Sequence, residues 1–406
     1  MSRLNFGRSR NGKMKFDNVT YRLTDKGKFG SIALIVGIIG LALSAVGCII
    51  DAKQFFHSYL VAFVFWTTIA LGGLFFVMLH HLVNAKWSIV LRRFGESLMM
   101  IIPFMLILFI PVLLGIKDIF EWSDPQIVAS DHLLQGKAAF LNIPFFIIRA
   151  LFYFCIWIVL ALMLNKLSLQ QNETATREQT RRARIISAPG MILFALTLTL
   201  ASFDWLMSLD ARWYSTIFGA YIFSGSFLAM LALTTFIVIR LQNNGVLRES
   251  ITMEHYHDLG KLMFAFVIFW GYMAFSQYLL IWYGNIPEET VWFLHRWEGS
   301  WRTVSLIIVF GHFVVPFFIL FPQSTKRNKP VMTVMTIWIL VMHWVDIHWI
   351  VMPTFHIHGF HLSWMDAATV IGIGGIFLFI FWRFFSSHPL VPVKDPNLKR
   401  SIEFVS

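Results

Sequence analysis

The stretch Met342-His343-Trp344-Val345-Asp346-Ile347-His348 places three titratable side chains inside an otherwise apolar run. His343 and Asp346 are three residues apart and share a helical face, whereas His348 falls on another. Imidazole and carboxyl groups exchange protons near neutral pH when their surroundings shift them, and a chain of them relays protons. His312, at mid-depth of the preceding apolar run, and Asp204, in Ser202-Phe203-Asp204-Trp205-Leu206-Met207-Ser208-Leu209-Asp210, are candidates for the same outward path. Beyond Pro353 come His356, His358 and His361, and Asp366 opens the next apolar run. Metal binding by these three histidines rivals a proton relay, and plain helix-end packing is the third reading. His312 with His343 would make one axial haem pair, but a second pair at suitable spacing is lacking. A separate group, Glu254-His255-Tyr256-His257-Asp258-Leu259-Gly260-Lys261, leads into another apolar run. Its His255, His257, Asp258 and Lys261 suit an inward-facing proton entrance, with a solvated helix start as the alternative. Arg149 lies about ten residues into its run and needs a carboxylate, carbonyls or an anionic group. Structural ion pairing accounts for it most simply; a quinone headgroup beside Arg149 or Asp204 is the sharper reading.

The apolar runs must position all of these groups. The chain has 406 residues, 57% hydrophobic and only 14% charged, well below the quarter that soluble domains carry. About 20 apolar residues cross a hydrocarbon core of about 30 Å. Ten such stretches are predicted, near 29–50, 58–80, 98–116, 139–164, 186–203, 214–239, 260–283, 303–321, 331–352 and 366–385. The expected organisation is a basic cytoplasmic tail 1–28, a polytopic domain 29–385 and a cytoplasmic C-terminal tail 386–406. The longest connectors are predicted near 117–138 and 165–185. Putting the termini on one side gives that side 25 Lys and Arg against six opposite, with Arg149 and Lys261 set apart. Both termini are therefore predicted cytoplasmic. The net charge of +11 is mostly this topological signal, and nucleic acid is not an expected partner of the basic tail (Arg3, Arg8, Arg10, Lys13, Lys15), which abuts a span. Asp51, Lys53, Arg92, Arg93, Arg240 and Lys326 fit helix-end side chains reaching to the headgroups. Cys48 and Cys155 lie in apolar runs without Cys-x-x-Cys, so no haem c, iron–sulfur cluster or thiolate-bound metal site is expected on this chain. Ala45-Val46-Gly47-Cys48 faintly resembles a lipoprotein processing site, but the long polar lead makes this the first span.

Several motifs carry a resemblance. Ser202-Phe-Asp-Trp-Leu-Met-Ser-Leu-Asp210, Trp213-Tyr-Ser-Thr-Ile-Phe-Gly219, His257-Asp-Leu-Gly-Lys261 and Phe275-Ser-Gln-Tyr-Leu-Leu-Ile-Trp-Tyr-Gly-Asn285, followed by Pro287-Glu-Glu289, are similar to the ActF family. These are membrane subunits of alternative complex III, the bacterial quinol:cytochrome c oxidoreductase, within the NrfD or polysulfide-reductase-like group. The resemblance implies an all-α integral membrane fold of two four-helix bundles, spans 2–5 and 6–9, with two flanking helices. It implies a subunit without redox cofactors of its own, in the inner membrane, with a structural and proton-translocating role. Implied partners are an ActC-like homologous membrane subunit, multihaem cytochrome c and iron–sulfur subunits, membrane lipids and a terminal oxidase. Menaquinone or another quinone is the implied ligand, and ActC is the better candidate for the productive quinol site. Two alternatives stand beside this reading: a quinol-binding subunit in its own right, and a stand-alone proton-coupled secondary transporter. Pro103, Pro111, Pro144, Pro316 and Gly271 within spans suit a transporter, although no sequence repeat relates the halves.

Overall fold

The structure is a computed structural model that describes residues 14–174 and 177–404; Arg3, Arg8, Arg10 and Lys13 of the basic tail lie outside them. Among the described residues, ten helical segments are long and apolar enough to cross a bilayer. They are α1 (Phe29–Ile50), α2 (Ala52–Leu82), α3 (Ile89–Leu114), α4 (Ile143–Glu173), α5 (Glu178–Asp210), α6 (Phe218–Asn243), α7 (Met253–Gly284), α8 (Trp301–Leu320), α9 (Lys329–Thr354) and α10 (Trp364–Phe385). Every predicted span is present, and the chain is an all-α, multi-span membrane protein.

The helices form two rings of four. In the first, α2 packs on α3 and α5, and α4 closes the ring against α3 and α5. In the second, α6 packs on α7 and α9, and α8 closes it against α7 and α9. The rings meet where α2 touches α6 and α9 and where α5 touches α6. Contact order along the chain is thus repeated, α2 to α5 matching α6 to α9, although the sequences of the halves do not show it. The most apolar windows of α2 and α6 are 89% and 83% buried, against 22% for α7, so α2 and α6 form the axis and α7 the rim.

The flanking helices pair through small residues. Gly30, Ala33, Gly37, Gly40, Ser44 and Gly47 line the buried face of α1 at three- and four-residue spacing. A Cβ at Gly37 would stand 2.7 Å from the Ile376 backbone nitrogen, and one at Gly40 2.5 Å from that of Gly372. Backbones this close gain dispersion and packing energy where hydrophobic driving force between helices is lacking.

Three sequence expectations change. Residues 165–185 are largely helix, because α4 and α5 run past their apolar cores as charged segments such as the Arg182–Glu178 pair at 2.9 Å. The stretch 117–138 contains short helices Pro125–Ser130 and His132–Lys137, capped by Asp124 and Asp131. Part of the N-terminal tail is folded: β1 (Lys15–Asp17) pairs antiparallel with β2 (Arg22–Asp25). The Tyr21 carbonyl accepts a hydrogen bond from the Leu390 amide at 2.8 Å. Both tails therefore cover the same end of the bundle, where Ser401 Oγ also donates to the Trp87 carbonyl at 2.7 Å.

Candidate functional site: a buried carboxylate cluster in the second bundle

Asp346 is 3% exposed on α9. Tyr221 of α6 donates a very short hydrogen bond to its Oδ1, and Trp270 Nε1 of α7 donates to Oδ2 at 3.1 Å. His312 of α8 stacks on Trp270 with ring centroids 4.0 Å apart and places Nδ1 4.0 Å from Asp346 Oδ2. Each helix of the second ring therefore contributes one side chain. His312 lies in a π-helical turn, Val309–Val314, which shifts its register within α8. Such turns concentrate at functional sites. Both ring nitrogens of His312 are buried and find no hydrogen-bond partner among the described residues. The cluster thus places a hydrogen-bonded carboxyl beside an imidazole whose ring nitrogens are not committed to another group among the described residues.

One turn before Asp346 on α9, His343 points elsewhere. Its Nε2 lies 3.0 Å from Thr68 Oγ1 on α2, and that hydroxyl is 2.9 Å from the Phe65 carbonyl. With the hydroxyl donating to Phe65, Thr68 accepts from a protonated Nε2, an assignment made from the network. The room for this ring comes from Gly225 of α6, where a Cβ would stand 3.1 Å from His343 Nδ1. Next to Thr68, a small cavity of about 20 Å³ lies between α2, α5 and α6, bordered by Thr67, Ser202 and Trp205. Thr67 Oγ1 and Trp205 Nε1 have no hydrogen-bond partner there among the described residues. This lining suits water.

Towards the end opposite the termini, polar groups continue almost without a gap. His348 Nε2 is 3.8 Å from Asp366 Oδ2. Asp366 accepts from Ser58 Oγ at 2.6 Å, and Ser58 accepts from Gln54 Nε2 at 2.9 Å. His356 Nε2 donates to Gln54 Oε1 at 2.7 Å, and its ring centroid lies 5.1 Å from that of His361. His356 is held below the ordinary imidazole range by burial first and by His361 second. Among the described residues, no three His, Cys, Asp or Glu side chains are grouped to hold a metal ion. The histidine string reads instead as a hydrogen-bonded surface patch joined to Asp366.

Asp204 and Arg149 sit in the first ring and bind each other. Arg149 Nε and Nη2 donate to the two carboxylate oxygens at 2.8 Å each, and Tyr153 donates to Oδ2 at 2.7 Å. Arg149 Nη1 donates to the Phe140 carbonyl at 2.8 Å, and its guanidinium lies over the Phe140 and Phe145 rings. The bidentate pair meets the requirement of a buried charge for full compensation. It leaves little hydrogen-bonding capacity for a quinone headgroup.

The group at the start of α7 divides. His255 is fully buried and its Nδ1 accepts from the Thr252 amide at 3.1 Å, completing the helix cap. Asp258 pairs with Lys261 at 2.5 Å, while His257 Nδ1 lies 3.9 Å from Glu254 Oε2 and Arg327 donates to that carboxylate at 2.8 Å. His257, Asp258 and Lys261 therefore lie in a charged rim at the terminal end. Asp258 is twelve residues from Trp270 on α7, about 18 Å along the helix. Buried Met263, Val267, Met335 and Ile339 occupy that interval.

Sequence reading did not single out Tyr221, Thr68, Ser58, Gln54 or Tyr153 as site members, since single polar residues in apolar helices carry no pattern. Trp270 shares α7 with Gln277, whose Oε1 accepts from Ser215 Oγ at 3.0 Å. Two arginines expected to reach the headgroups turn inward instead: Arg92 is 1% and Arg93 5% exposed. Arg92 donates to Asp395 at 2.9 Å and Gln171 at 2.8 Å. The folded C-terminal tail supplies Asp395, which the sequence could not place beside α3.

The chain matches no protein-family profile. No curated protein sequence matches it either.

Proposed function

We propose that this multi-span protein is a cofactor-free membrane subunit of a bacterial quinol:cytochrome c oxidoreductase of the alternative complex III type. In this reading it contributes structure and a route for protons, in the inner membrane with both termini cytoplasmic. The observation that carries the proton role is the Asp346 cluster, in which a buried carboxyl, a tyrosine hydroxyl and an unpartnered imidazole meet inside an apolar ring. Ionisable groups so deep in a membrane protein mark ion or proton pathways. The string His348–Asp366–Ser58–Gln54–His356 leads from near this cluster towards the end that the charge bias assigns to the periplasm. His257, Asp258 and Lys261 are the cytoplasmic half of the route, separated from the cluster by apolar packing. The resemblance in motifs supplies the complex, and with it the ActC-like, multihaem cytochrome c and iron–sulfur partners that carry the redox chemistry. The closed Arg149–Asp204 pair favours a passive subunit over a quinol-oxidising one.

A proton-coupled transporter is the second reading, favoured by the repeated packing order of the two rings. Gentle-detergent purification through a C-terminal tag, with mass spectrometry and a reduced-minus-oxidised spectrum, separates the two. Co-purifying cytochrome c and iron–sulfur subunits support the respiratory reading. A colourless chain purifying alone overturns it.

A further inference from the structure

A groove of about 380 Å³ runs between α4 and α5 on the outside of the first ring. That is the size of a small-ligand site. Met163 and Leu167 of α4 and Ile185 and Ile186 of α5 line it with apolar surface, while Lys166 and Arg182 add one cation from each helix. Met163 is 43% and Ile185 59% exposed, so the groove opens away from the ring. Arg182 is 62% exposed and, among the described residues, pairs with Glu178 through Nε alone, at 2.9 Å, which leaves its Nη groups unengaged. Lys166 is exposed and has no ion pair among the described residues.

Charge and length place this groove at a membrane boundary. α4 carries no charged residue between Arg149 and Lys166, and α5 none between Arg184 and Asp204. Both helices therefore change from apolar to charged beside the groove. The far end of the apolar stretch is tied, because Arg149 and Asp204 bind each other. Lys166 follows Arg149 by 17 residues, about 26 Å along α4, and Arg182 precedes Asp204 by 22, about 33 Å along α5. These lengths bracket a hydrocarbon thickness of about 30 Å, so both cations reach the headgroup layer while the apolar lining meets the acyl chains.

We propose that this groove binds an anionic phospholipid, with an acyl chain along Met163, Leu167, Ile185 and Ile186 and the phosphate between Lys166 and Arg182. From 166 to 184 the chain carries five basic residues against two acidic ones, a bias that selects anionic over zwitterionic headgroups. The apolar lining distinguishes a lipid from a free phosphate, which makes no use of it. This site is separate from the Asp346 cluster and does not depend on the proposed complex.

The test uses the full chain purified with whatever partners it retains, washed free of loosely held lipid. Binding is measured for phosphatidylglycerol, for phosphatidylcholine with the same acyl chains and, separately, for glycerol phosphate. Lys166→Gln with Arg182→Gln removes both groove cations. Lys399→Gln with Arg400→Gln removes two exposed cations of the C-terminal tail and is the control. Ile185→Trp fills the groove without changing its charge. The proposal requires saturable phosphatidylglycerol binding about tenfold or more tighter than that of phosphatidylcholine. The preference should vanish in the groove pair and persist in the control pair, and Ile185→Trp should weaken phosphatidylglycerol binding about tenfold. If the groove pair does not assemble, Ile185→Trp decides. A preference that is absent, survives in the groove pair or falls equally in the control pair overturns the proposal. So does unchanged binding in Ile185→Trp, or glycerol phosphate binding as tightly as the lipid.

Discussion

His343 of α9 and Thr68 of α2 meet at 3.0 Å, so a histidine of the second ring is hydrogen-bonded to a hydroxyl of the first. The same Thr68 accepts at its carbonyl from Ser226 of α6, at 2.6 Å. One residue therefore ties together three of the four helices at which the rings join, one turn of α9 from Asp346.

Thr68→Val keeps the shape and removes the hydroxyl. Interhelical hydrogen bonds in membranes are worth about 0.6–1.7 kcal/mol, so the variant should lose stability on that scale. His343→Ala in the Thr68→Val background should then cost less than in wild type. A double-mutant cycle on detergent unfolding measures this, and strictly additive losses would dissolve the link.

The Arg149–Asp204 pair should behave as a closed structural unit. Removing one partner strands a buried charge, so Arg149→Leu should destabilise by about 3–5 kcal/mol. Adding Asp204→Leu should recover much of that loss. Thermal denaturation of the three proteins distinguishes this from a site whose role is to hold a ligand, where the double variant would regain no stability.

At the α1–α10 contact, Gly40→Ile would drive a side chain into the Gly372 backbone. Overpacking of this kind costs about 1–3 kcal/mol. Exchange of α1 amides with deuterium should accelerate while that of α2 is unchanged.

His356 gives a pH dependence with a definite sign. Its pKa is depressed in the folded protein, so on acidification the unfolded chain takes up a proton first, near the ordinary value of 6.5. Stability from this residue is complete above that pH and is lost as pH falls towards the folded pKa. His361→Ala removes one of the charges that lower it and should move the His356 titration upward, as followed by nitrogen chemical shifts of labelled histidine. A titration that stays in place would show that burial acts alone.

The spans were legible because a long apolar run has one meaning in a chain this poor in charge. Their ends were less so: α4 and α5 continue as helix through charged residues that hydropathy assigns to a loop. Within the site, His312, His343 and Asp346 stood out because ionisable residues in apolar runs are costly. Which of them meet was hidden. His343 and Asp346 share a helical face, yet one turns to α2 and the other to α6 and α7. The π-turn at His312 and the clearance made by Gly225 depend on packing across helices, which periodicity along one helix does not encode. Arg92 and Arg93 were misplaced because the folded tail that receives Arg92 lies some 300 residues away in sequence.

The central claim is that Asp346 carries protons. The direct measurement is the number of protons moved per electron in vesicles containing the purified complex, wild type against Asp346→Asn, with quinol and cytochrome c. The amide oxygen can accept from Trp270 while its NH2 donates to the Tyr221 hydroxyl oxygen, but the group cannot ionise. We predict intact assembly and electron transfer with a clearly lower proton ratio. An unchanged ratio in a fully assembled Asp346→Asn complex would contradict the account.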